Sequence, residues 1–141
     1  MANKKKSKKA VSTPKSFVVP EEMKQWSALI AQEVASWPQV EARKMFGMTS
    51  FYRRDVIFAA VPTTKAYFSP HSIIFKLQSP TEKQRQRMIA DKRVNVSFGI
   101  GQKWYGYELA SPEDIRGALA WLDEAFRAAK AAPKRARKRT A

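Results

Sequence analysis

The sequence predicts an α+β domain, an antiparallel β-sheet of about five to six strands with an N-terminal, a middle and a C-terminal helix packed on it, flanked by disordered basic tails. Three observations predict it. Strand-like segments cluster between Val40 and Leu77 and again between Val94 and Leu109, joined by short turns. Three other segments carry helical apolar spacing or helix-start signals. The resulting order, α, several β, α, β, β, α, does not alternate strand with helix, so an antiparallel sheet is expected rather than a parallel one. A chain of 141 residues, 44% of them hydrophobic, fits one domain with one core.

The first helix is expected from Pro20 to Ser36. Proline suits a first helical turn, and Glu21 and Glu22 complement the helix dipole there. Met23, Trp26, Ile30, Val34 and Trp37 recur at steps of three and four, which draws one apolar stripe. Pro38 stops the helix. Strands follow at Val40–Phe46 and Ser50–Arg53 around a Gly47-Met48 turn, then at Val56–Val61 after a turn at Arg54-Asp55. Pro62-Thr63-Thr64 and Ser69-Pro70-His71 are breaker clusters. Ser72–Leu77 alternates Ile73, Phe75 and Leu77 against Ile74 and Lys76, as a half-buried strand does.

Ser79-Pro80-Thr81-Glu82 reads as a capping box with Ser79 at the cap, opening a mostly polar surface helix over Lys83 to Asp91. Val94–Phe98 alternates as a strand, Gly99-Ile100-Gly101 turns, and Trp104–Leu109 is the last strand. Trp104, Gly106 and Glu108 share one of its faces, Tyr105, Tyr107 and Leu109 the other. A second capping box, Ser111-Pro112-Glu113-Asp114, starts a final helix with Ile115, Leu119, Leu122 and Phe126 as its core face.

Charge is segregated along the chain. The formal net charge is +15, of which residues 1–16 and 127–141 hold +13 and no acid, while residues 17–126 hold only +2. The expected organisation is a disordered basic tail at 1–16, a folded domain at 17–130, and a second basic tail at 131–141, with Pro133 marking the break from the last helix. No apolar segment follows the N-terminal lysines as a signal peptide requires, and no apolar run approaches the roughly 18–20 residues that cross a bilayer. A cytoplasmic protein is expected, with nucleoid association as a natural extension.

Most catalytic chemistries find no support. Cysteine is absent, which removes thiol nucleophiles and thiolate metal sites. His71 is the only histidine and reads as an ordinary surface residue. No nucleophile elbow, phosphate loop or dinucleotide motif occurs. The acid pairs Glu21-Glu22, Glu113-Asp114 and Asp123-Glu124 sit at helix starts or on expected exposed helix faces, where capping and solubility account for them. No enzyme activity, cofactor or metal is expected.

Arg43-Lys44-Met45-Phe46-Gly47, the strand ending in Phe75-Lys76, and Trp104-Tyr105-Gly106-Tyr107-Glu108-Leu109 running into Ser-Pro-Glu-Asp together resemble the N-terminal domain of the TfoX/Sxy family of bacterial competence regulators. The resemblance covers about Ala31 to Ala132. Met48 stands where a second glycine is usual, residues from about Thr63 to Pro70 are extra, and the family regulators' helical second domain is missing. The resemblance therefore implies a fold and a bacterial source, and no activity. A MmcQ/YjbR-type domain is a second relative of similar size with a Trp-bearing strand before its last helix.

Two binding features remain. Lys4, Lys5, Lys6, Lys8 and Lys9 at one end, and Lys134, Arg135, Arg137, Lys138 and Arg139 at the other, look like arms that hold nucleic acid, DNA or RNA, by releasing condensed counterions. Phe51, Tyr52, Trp104, Tyr105 and Tyr107 lie on strands near Arg43, Lys44, Arg53, Arg54 and Lys103, so they either stack single-stranded bases or, as strand aromatics usually do, fill the core. Lys76, Trp104 and Tyr105 are a candidate ligand pocket, with Lys76 otherwise expected in solvent or beside an acid. The expected function is a non-enzymatic regulatory or accessory protein whose tails contact nucleic acid without reading sequence. The alternative is a protein- or small-ligand-binding module whose tails only aid solubility. No membrane partner is expected.

Overall fold

In a computed structural model of the protein, residues 16–96 and 103–131 are described, with side chains through Ala129. Eight strands and three helices occur in this part of the chain: β1 (Ser16–Val18), α1 (Glu21–Ala35), β2 (Val40–Met45), β3 (Met48–Arg53), β4 (Val56–Pro62), β5 (Lys65–Tyr67), β6 (Ser72–Lys76), α2 (Glu82–Ala90), β7 (Val94–Asn95), β8 (Trp104–Glu108) and α3 (Asp114–Ala131). Six strands form one antiparallel sheet in the order β2-β3-β4-β6-β8-β7, and β1 pairs with β5 in a separate two-stranded ribbon. The α+β class, the antiparallel sheet and the three helices are as the sequence predicts.

The helices cover one face of the sheet. Met23, Ile30 and Val34 of α1 are fully buried there beside Phe51, Phe58, Ile73 and Phe75 of the strands. α3 also packs here, but its buried line is Ala118, Trp121, Leu122, Ala125 and Ala129. Of the four residues expected to form that face, only Leu122 is fully buried; Ile115, Leu119 and Phe126 pack at its margin. Small alanines let the helix approach the sheet closely, so the buried face is centred on them rather than on the larger side chains. Phe75 lies at the centre, with its ring stacked on Trp121 at 5.4 Å and tilted against Tyr105 at 5.7 Å.

The other sheet face is not left to solvent. Met48, Ala60 and Ile74 form a second small cluster there, flanked by Tyr67, Phe68 and Trp104. For this reason β6 is buried from Ser72 through Phe75 instead of alternating wet and dry. The cover comes from the β5 segment, which a sequence reading leaves as breaker-rich loop. Gly106 shows how close that cover lies, since a Cβ there would meet Phe68 Cδ2 at 2.5 Å. β1 likewise has no sequence signal, and Ser16, which composition places in the N-terminal tail, pairs with Tyr67.

Two turns stand where the sequence places them, the first displaced by one residue and the second at the residues expected. The β2–β3 hairpin turns at Phe46-Gly47 rather than Gly47-Met48, with φ of 52° and 75°. Positive φ at both central residues is the geometry that fits the twist of a two-residue hairpin. The turn at Arg54-Asp55 has the same character, with φ of 51° and 73°. Of the expected strand Val94–Phe98, Val94–Asn95 is strand and Val96 is not, while Ser97, Phe98 and the Gly99-Ile100-Gly101 turn lie outside the described residues.

Helix α2 is capped by Thr81, two residues later than expected. Its side chain accepts from Gln84 N at 3.0 Å while Gln84 Oε1 accepts from Thr81 N at 2.9 Å, so Gln84 takes the place expected for Glu82. α3 starts at Asp114, whose Oδ2 accepts from the backbone N–H groups of Ala110 and Ser111 at 2.7 and 3.1 Å. Only Met88 of α2 is buried, as a surface helix requires.

A polar clamp binds α2 to α3. Gln84 Nε2 and Arg87 Nη1 both donate to the Glu124 carboxylate at 2.7 Å, Arg87 lies 4.5 Å over the Trp121 ring, and Trp121 Nε1 donates to Asp91 at 3.3 Å. Glu124 is therefore not the solvated helix-face acid that its sequence position implies. Burial pushes its carboxyl up, but the hydrogen bonds from Gln84 and Arg87, with the charges of Arg87 and Arg127, bring the balance below the ordinary value. A carboxyl lowered in the folded state adds stability above its unfolded pKa and loses it as pH falls through the folded one. Glu124→Gln is expected to cost about 1 kcal/mol at pH 7. In urea melts at stepped pH, that difference should shrink below about pH 4 and vanish once the native carboxyl is protonated.

Candidate functional sites

The ten arm cations, Lys4, Lys5, Lys6, Lys8, Lys9, Lys134, Arg135, Arg137, Lys138 and Arg139, lie outside the described residues. The folded part fixes where the two ends are rooted. Val19 N donates to Thr64 O, and Thr63, Thr64 and Lys65 all donate backbone N–H groups to Gly47 O, so the N-terminal strand is tied at the Gly47 end of the β2–β3 hairpin. The last helix is tied at the other end of that hairpin, where Arg53 Nη1 donates to Phe126 O at 3.0 Å.

Among the bases near the strand aromatics, Arg53 is buried. It is 9% exposed, lies 3.9 Å over the Phe126 ring, and donates from Nε to Gln39 Oε1 at 3.4 Å. Burial, and then the charge of Arg54, lower its pKa. It holds α3 on the sheet and is not available to a polyanion.

The strand aromatics divide by face. Phe51, Tyr105 and Tyr107 are buried on the helix-covered side, which removes them from any stacking surface. Tyr52 and Trp104 are half-buried and each carries a cation, Arg43 at 4.3 Å from the Tyr52 centroid and Lys76 Nζ at 5.8 Å from the Trp104 centroid. Arg43 is also occupied by Glu41 at 3.2 Å and Asp55 at 3.8 Å. Phe46, at the hairpin tip, is 79% exposed with φ of 52°, a conformation a bulky residue rarely adopts. Sequence periodicity does not find it, because it reads as the last residue of a strand.

Lys76, Trp104 and Tyr105 do not share one pocket. Strand alternation puts Lys76 and Trp104, which pair across β6 and β8, on the side opposite the helices, and sends Tyr105 to the helix side. Lys76 is half-buried and has no carboxylate partner among the described residues. It lies along Trp104, where burial and then neighbouring Lys103 lower its pKa.

Tyr105 instead forms part of a different cavity, of about 480 Å³, between α2 and the sheet. Met88 and Tyr105 form its buried wall, Ile89 and Val96 its apolar rim, and Arg85 and Lys103 its charged mouth. No carboxylate lines it among the described residues. Burial holds the Tyr105 phenol above its ordinary pKa, opposed by the charge of Arg85, so it is neutral at pH 7. The sequence signal was weak, since Arg85 and Ile89 belong to a helix that reads as merely solvated.

His71 is held by Glu22, with Nε2 and Oε2 2.9 Å apart, and rests against the Trp26 ring at 5.8 Å. It ties the loop before β6 to α1. Among the described residues, no cluster of three or more His, Asp or Glu side chains is placed to hold a metal ion, and no helix is long and apolar enough to cross a membrane. No family model, no curated protein and no solved structure matches the chain.

Proposed function

We propose that the chain is a non-enzymatic bacterial regulatory or accessory protein whose two basic ends hold it on nucleic acid in the cytoplasm without reading sequence. The observation that carries this reading is the charge placement: +13 in residues 1–16 and 127–141, against +2 in residues 17–126. Each contact between a cation of these ends and a phosphate releases condensed counterions, so the affinity is electrostatic. The TfoX/Sxy resemblance adds a fold and a source to this reading and no activity. Roots at opposite ends of the β2–β3 hairpin favour two arms that engage phosphates independently.

The test is binding of random-sequence duplex DNA by the full chain across a salt series. With about six arm charges engaged, log K falls against log salt with a slope near −5, and affinity drops by about 10³ between 50 and 200 mM salt. Scrambled duplexes of one length bind alike. A slope shallower than about −1, or a strong preference among those duplexes, contradicts the proposal.

A further inference from the structure

The cavity between α2 and the sheet has a composition that the arms do not explain. Its walls are apolar, and its rim carries Ile89 at 76% exposure and Val96 at 39%. Both belong to the small set of large apolar side chains that the described residues leave in water, the others being Val18, Leu29 and Phe46. Leaving two such groups at one opening keeps apolar area wet that a ligand's apolar body would cover. Arg85 and Lys103 stand at the same opening, and neither has an ion-pair partner among the described residues.

We infer that this cavity is a binding site for a small amphipathic monoanion, a carboxylate on an aliphatic or aromatic body. The carboxylate sits between the Arg85 guanidinium and the Lys103 ammonium, and the apolar body lies along Met88, Ile89, Val96 and the Tyr105 ring. An Arg fork suits a planar carboxylate, and the cavity volume falls in the range of small-molecule sites. The wall that α2 contributes is fixed by its clamp to α3 through Glu124 and Trp121, so the site is largely formed before a ligand arrives. A cation or a neutral molecule of the same shape gains the apolar contacts only.

The basic arms also attract anions, so the readout has to be local. The methyl resonances of Met88 and Ile89 are followed in the full chain while octanoate is added, with octylammonium, octanol and inorganic phosphate as comparison ligands. Octanoate is expected to shift both methyls saturably, and octylammonium and octanol to bind at least about tenfold more weakly. Inorganic phosphate should leave both methyls in place. Arg85→Gln and Lys103→Gln are each expected to weaken octanoate about threefold to tenfold. Ile89→Glu, at an exposed position that folding does not depend on, should abolish saturable binding. Equal responses to octanoate and octylammonium, unchanged octanoate binding in the Ile89 variant, or no saturable shift with octanoate would each overturn the assignment. None of these outcomes depends on whether the arms bind nucleic acid.

Discussion

Phe75→Ala is expected to cost about 3–5 kcal/mol, a large fraction of the roughly 5–15 kcal/mol that holds a domain of this size together. Phe75 is fully buried on the central strand β6. It packs on Trp121 from α3 and on Tyr105 from β8, so its removal opens a cavity where three elements meet. Those neighbours are aromatic and cannot collapse into the space without breaking their own contacts, which places the loss at the upper end of the range. A urea melt followed by circular dichroism gives the number directly, and the thermal midpoint should fall by about 10–20 °C. Ile89→Ala, also a loss of apolar volume but at an exposed site, should stay within about 0.5 kcal/mol. A small loss at Phe75 would mean that the sheet and α3 do not share one core.

Exchanging all ten arm cations, Lys4, Lys5, Lys6, Lys8, Lys9, Lys134, Arg135, Arg137, Lys138 and Arg139, for Gln should lower affinity for random duplex by at least about 10² at 50 mM salt. Three bases of the ends, Lys15, Arg127 and Lys130, remain, and Arg127 is already paired with Asp123 at 3.0 Å. In residues 17–126 the bases are nearly balanced by acids, and several are committed to the fold: Arg53 to Phe126, Arg87 to Glu124, Arg93 to Asp114. The account predicts that the same exchange leaves the urea midpoint nearly unchanged, as charge substitutions outside a fold do. Loss of affinity with retained stability separates a binding defect from a folding one.

Much of the fold could be read from residue order because each element has a local cause. The α1 stripe of Met23, Trp26, Ile30 and Val34 is buried as its spacing requires, and the division of Tyr105 and Tyr107 from Trp104 follows from strand alternation. What could not be read depends on contacts between distant parts. β1 and β5 are three-residue strands that exist through pairing with each other, and neither has a pattern long enough to show alternation. Burial of both faces of β6 depends on the β5 segment folding over Ile74, which no feature of Ser72–Leu77 announces. The cavity was half legible. The sequence points to Tyr105 but groups it with Lys76 and Trp104, which lie across the sheet, while Arg85, Ile89 and Lys103 come together only when α2 docks beside β8.

The central claim is a division between a folded, nearly neutral body and cationic ends that carry the attraction for phosphate. The most direct measurement is the salt slope of duplex binding for the native chain beside the chain with its ten arm cations exchanged for Gln. The slope is expected to fall from near −5 to about −1 or shallower, with melting behaviour unchanged. Equal slopes and affinities in the two chains would locate the polyanion contact on the folded body and contradict the account.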